Sequence, residues 1–150
     1  MIDTRLAPYG ILLLRVLTGT ALLAHSLYLK VFVLTMPVTV EFFRSLGLPG
    51  PIAWLILVLE IVAGVALILG VKPRLAALGA TIVLLGATWA HSGNGWEFSS
   101  TGGGWEYPFF WSVALISISL LGDGAHFLVP SFQVLGDRKT RLGSRVSDKE

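Results

Sequence analysis

PIAWLILVLEIVAGVALILG, from Pro51 to Gly70, holds one charged residue, Glu60, in an otherwise apolar run. About 20 apolar residues in helical form cross the hydrocarbon core of a bilayer. The run opens on proline and closes on glycine, the usual asymmetry of helix ends. A helix bound for a watery surface would carry a polar face at a 3.6-residue period, and this one has none. Its solvent is lipid.

Three more apolar runs lie on either side of it. Downstream, the basic turn Val71-Lys72-Pro73-Arg74 leads into Leu75 to His91, and a Gly-, Ser- and Trp-rich loop to Glu106 precedes Tyr107 to Leu121, closed by Gly122-Asp123-Gly124. Upstream, Pro8 to Leu34 is longer than one crossing needs, which predicts tilt or protrusion. The linker Thr35 to Gly50 is too polar to span and predicts a short interfacial helix. The reading is all-α: a bundle of four transmembrane helices over residues 1–130, followed by a flexible basic tail over residues 131–150.

Composition agrees: 54% of residues are hydrophobic, 13% are charged and mean hydropathy is +0.77, against about 25% charged residues in soluble domains. Arg5, Lys72, Arg74 and the tail residues Arg138, Lys139, Arg141, Arg145 and Lys149 fall on one side of a four-span arrangement. The positive-inside rule places that side, with both termini, in the cytoplasm and the loop Ser92 to Glu106 outside. A basic tail beside a membrane reads as a topology signal or lipid contact, so membrane lipid is the expected partner and nucleic acid is not. The chain has no cysteine, which excludes disulfides, thiolate catalysis and Cys-held iron–sulfur clusters. Any redox role must use a bound cofactor.

Charge inside a bilayer costs several kcal/mol unless paired or hydrated. Counting helix rise puts both Arg15 and Glu60 near the midplane, so they are expected to contact each other as a register-setting pair or as part of a ligand or proton site. A second group converges on the extracytoplasmic side: His25 and Lys30 late in span one, His91 ending span three, and Glu106 and Tyr107 opening span four. With Trp96 and Lys30 at the rim, His25, His91, Glu106 and Tyr107 are expected to line one pocket for a small polar-headed or quinone-like molecule, the histidines tuning its protonation near neutral pH. Two histidines and an acid on different helices lack a spacing that demands a metal. His126 reads as a capping or surface residue, and Gly102-Gly103-Gly104 as a turn, because no Lys-Ser/Thr follows.

These residues resemble the DoxX family of small bacterial membrane proteins. The resemblance rests on His25-Ser26-Leu27-Tyr28-Leu29-Lys30, with Ser26 where glycine is usual, and on Gly47-Leu48-Pro49 before span two. It also rests on Glu60 with Ala63-Gly64, where Ala63 replaces a common glycine, and on Arg74-Leu75-Ala76-Ala77-Leu78. The most specific segment is His91-Ser92-Gly93-Asn94-Gly95-Trp96 followed by Gly102-Gly103-Gly104-Trp105-Glu106-Tyr107-Pro108. The resemblance implies a four-helix bundle in the bacterial cytoplasmic membrane. By association with DoxD-type thiosulfate:quinone oxidoreductase subunits, it also implies a redox role there.

Two further function classes stay open on the residues alone. One is a small-solute or proton carrier working through Arg15 and Glu60, and the other is a scaffold presenting its loop. The favoured reading is a membrane subunit of a redox system, with a quinone as cofactor and a redox protein or a second copy of the chain as partner.

Overall fold

The computed structural model describes residues 3–132. Among them the fold is helical without strands. Helix α1, Ala7–Leu23, runs on without a break into a ten-residue π-helix, Ala24–Val33. Then come α2, Met36–Ser45; α3, Pro51–Leu69; α4, Pro73–His91, extended by a 3₁₀ turn at Ser92–Asn94; and α5, Glu106–Leu121. Each of α2, α3 and α4 carries proline in its first turn, where the missing N–H costs no helical bond. The expected short helix in the linker is α2.

Among the described residues, three helical stretches are long and apolar enough to cross a membrane: Ala7–Val33, Pro51–Leu69 and Pro73–Asn94. The fourth apolar helix, α5, has 16 residues and measures about 24 Å, shorter than a ~30 Å hydrocarbon core. Leu13, Val62, Ile82 and Leu120 are all more than half exposed. Large apolar side chains presented outward on every long helix suit lipid and would associate in water.

Small residues set the helix contacts. A Cβ on Gly19 of α1 would lie 2.7 Å from the carbonyl oxygen of Gly64 on α3, and one on Gly64 would lie 2.9 Å from that of Gly19. The two backbones therefore touch, as glycine permits in membrane helix pairs. Leu22, Leu67, Ala77, Ala80, Leu115 and Ile118 form the main core, joining α1, α3, α4 and α5. A smaller cluster of Met36, Ala53 and Leu57 seats α2 on α3.

One end of the bundle, where α3 turns into α4, is tied by main-chain bonds. Gly70 adopts a left-handed conformation, φ 71°, and a Cβ there would lie 2.6 Å from Cα of Phe127. The Gly70 carbonyl accepts from the N–H groups of Leu128 and Val129, at 2.9 and 3.0 Å, and the Lys72 N–H donates to Val129 O at 2.8 Å. The Asp123 carboxylate accepts from the Ser131 N–H and hydroxyl, and the Ser131 hydroxyl oxygen accepts from Arg74 N–H at 3.0 Å. The Arg74 guanidinium lies 5.4 Å from the Phe132 ring centroid. The segment after α5 is thus strapped to the bundle through Phe132. The rest of the expected tail, residues 133–150, lies outside the described residues.

Candidate functional site

Away from that end, α3 and α4 line a cavity of about 940 Å³, bounded also by the π-helix, α2 and α5. Its walls are mainly apolar, with His25, Lys30, Glu60, His91, Tyr107 and Trp111 among them. Ligand sites typically combine this volume with a few convergent polar groups on apolar walls.

The π-helix supplies two of those groups. In an α-helix, residues five apart are rotated by about 140°, which would turn Lys30 away from His25. Bonds closing five residues apart widen the turn and bring both side chains nearer one face. Side chains lean toward the N-terminus of their helix, so Lys30 reaches down the bundle to Glu60. Its Nζ donates to both Glu60 oxygens at 2.6 Å, and the two side chains are 12% and 5% exposed.

The expected Arg15–Glu60 contact is therefore not formed. The Gly19–Gly64 contact sets the register and places Arg15 beside Gly70, with Nη1 3.0 Å from the position of a Gly70 Cβ. Arg15 is fully buried and donates from Nη1 to Asp123 O at 2.6 Å and from Nη2 to His126 O at 2.9 Å. In this antiparallel pair Arg15 lies four residues from the Gly19–Gly64 contact toward Gly70, and Glu60 four residues from it toward the loop end, so the two fall on opposite sides of it. His126, read as a capping or surface residue, is exposed and serves Arg15 through its carbonyl.

His91 is fixed by the loop. Its Nδ1 lies 3.1 Å from the carbonyl oxygens of both Gly102 and Gly103. Carbonyls only accept, so Nδ1 carries a proton, and in the neutral ring Nε2 is the acceptor. Asn94 Nδ2 donates to the same two carbonyls, and Phe42 of α2 stacks on the imidazole with centroids 5.8 Å apart and planes 27° from parallel. The glycine turn thus positions a histidine.

Of the expected site residues, His25, Lys30, Glu60, His91 and Tyr107 line this cavity. Glu106 and Trp96 line a separate groove of about 430 Å³, which Tyr107 and Phe98 share with the larger cavity. Glu106 accepts from the Phe98 N–H at 3.4 Å, and Trp96 packs edge-on against Trp105 at 4.4 Å. Arg15 belongs to neither.

Two contributors escaped the sequence reading, Phe42 and Trp111. Trp111 is 5% exposed, lies 5.4 Å from the Tyr107 ring and meets the His25 ring edge-on at 6.2 Å. Its indole N–H is buried with no partner among the described residues, and such orphan donors are rare. Its position one turn after Tyr107 was the available signal, since residues four apart share a helix face.

The fold and the cavity define a small multi-pass helical membrane protein. The DoxX family profile matches residues 10–93, more than half of the chain, and the protein belongs to the DoxX family. The match ends before the glycine turn and α5. A Bacillus subtilis (strain 168) protein named "Putative oxidoreductase CatD" is 37% identical over 78 residues, covering 52% of this chain and 56% of that protein. The chain thus spans little more than half the length of that relative. No solved structure matches it.

Proposed function

We propose that this DoxX protein is the membrane subunit of a redox system and holds a quinone-like molecule in the cavity between α2, α3, α4 and α5. The observation that carries this reading is a cavity of about 940 Å³ whose apolar walls bring His25, Lys30, Glu60, His91, Tyr107 and Trp111 together. A quinone needs an apolar slot and donors for its ring oxygens. The ammonium of Lys30, the Tyr107 hydroxyl and the unpartnered indole N–H of Trp111 are donors of that kind. Bound there, the quinone would supply two-electron chemistry that a cysteine-free chain lacks. His25, His91 and the Lys30–Glu60 pair would hold and move protons at its oxygens. Glu106 and Trp96 line the neighbouring groove, which Tyr107 and Phe98 share with the cavity. The name of the Bacillus subtilis relative supports a redox role, and electrons would come from a partner protein.

In this reading α5 is a fourth, little-tilted span, and both termini are cytoplasmic in a bacterial inner membrane. The Lys and Arg distribution supports that orientation. Single cysteines in the cysteine-free chain test it. In intact cells Ser99→Cys should react with an impermeant thiol reagent and Ser144→Cys should not, and the reverse pattern would invert the topology.

Function is tested by organic extraction and mass spectrometry of protein purified in mild detergent. A quinone recovered in a fixed ratio to protein, and lost in Tyr107→Phe with Trp111→Phe, is the expected result. Preparations that carry none and bind none when it is added sink the proposal.

A further inference from the structure

Resting on that reading of the cavity, we propose that its ligand enters sideways from the lipid, through a gap between α3 and α4. We further propose that it carries a long apolar tail, which stays in the gap while the polar head reaches Lys30 and Tyr107.

Leu59 and Ile82 both line the cavity. Ile82 is the central residue of the 19-residue α4, and Leu59 is one residue from the centre of the 19-residue α3. They are nevertheless 43% and 74% exposed. Side chains that belong to a cavity wall and are open at mid-height of their helices mark where the cavity reaches the outer surface. At that height the surroundings are hydrocarbon.

Gly79 and Gly86 flank Ile82 on the same face of α4 and also line the cavity. A Cβ on either meets nothing within 4 Å, so both leave the gap wide. Below it, Ala63, Leu67, Ala77 and Ala80 close α3 against α4 in the core. On the loop side, α2 and Gly102 to Gly104 form the wall, and Phe42 is stacked on His91.

The gap itself, framed by Leu59, Gly79, Ile82 and Gly86, offers no hydrogen-bonding side chain. A polar solute has nothing to hold it there, whereas an alkyl or isoprenoid chain passes from lipid to cavity without leaving an apolar medium. The exposed Leu55, Leu78 and Leu85 continue that apolar surface outward on the same two helices.

The test uses the full chain in phosphatidylcholine vesicles and the quenching of its tryptophan fluorescence by two probes: a benzoquinone with a long isoprenoid tail, and the same ring without one. Gly86→Leu fills the gap, and leucine is the better helix former, so the fold is retained. Gly79→Leu, two turns below, repeats the test at a second place. In each variant the apparent Kd of the tailed probe should rise about tenfold while that of the tail-less ring stays within about twofold.

Equal changes for the two probes, or no change for either, overturn the lateral entrance and leave the ligand site standing. If neither probe quenches saturably in the unsubstituted protein, the site reading falls and the entrance falls with it.

Discussion

Arg15 at the Gly70 end and Lys30 at the loop end are both cations buried in the bundle, and they are held in opposite ways. Arg15 donates to main-chain carbonyls of Asp123 and His126, at the centre of a web of backbone bonds that joins α1, the α3–α4 turn and the segment after α5. Lys30 faces one carboxylate, Glu60, on the wall of a large cavity. Carbonyls cannot change charge or swing away, so the first arrangement fixes structure. A carboxylate can exchange a proton and rotate, so the second leaves chemistry available.

The largest effect should come from Arg15→Gln. It removes two charge-assisted hydrogen bonds and orphans their acceptors, a loss of about 3 to 5 kcal/mol, visible as a lower thermal unfolding midpoint in mild detergent. Ligand retained per folded molecule should not change. A parallel loss of ligand would break the division between a structural end and a functional one.

At the other end, Glu60→Gln leaves the Lys30 ammonium unpaired and should cost about 2 to 3 kcal/mol. Adding Lys30→Met should restore at least about 1 kcal/mol of that, because neither charge then stands alone. Glu60→Gln combined with Arg15→Gln shares no partner and should be additive to within about 0.5 kcal/mol. Thermal unfolding of the four variants and the parent decides between these patterns. Coupling of Glu60 to Arg15 in place of Lys30 would contradict the register described here.

The smallest effect is expected from Phe42→Ala. The stacked contact with His91 is worth about 0.5 to 1.5 kcal/mol, so stability should fall only slightly. Affinity for an added quinone should fall more, since Phe42 is also cavity wall. An affinity that stays at the parent value would remove α2 from the site.

The apolar runs, their proline starts and the short helix in the linker were legible in the sequence because each depends on local composition. The loop-end grouping of His25, His91 and Tyr107 was legible too, since hairpin connectivity alone brings those helix ends together. The partners of Arg15 were not, because they are carbonyls, which every residue has. The Lys30–Glu60 pair was not legible, because helix-end position grouped Lys30 with His25 while depth grouped Glu60 with Arg15. The π-helix and the register bring Lys30 and Glu60 together, and no composition marks where the period changes. The helix register was hidden as well, since it depends on which glycine of one helix meets which glycine of another.

That last contact, Gly19 on Gly64, has a consequence for edits of chain length. It works as a fixed page mark in α1: residues before it are counted toward Arg15 and residues after it toward His25 and Lys30. One alanine inserted between Gly19 and His25 turns everything downstream by about 100°, misreading the Lys30 end while Arg15 keeps its place. The same insertion between Arg15 and Gly19 garbles only the Arg15 end. The two halves of the first helix are separate sentences, and Gly19 is the stop between them.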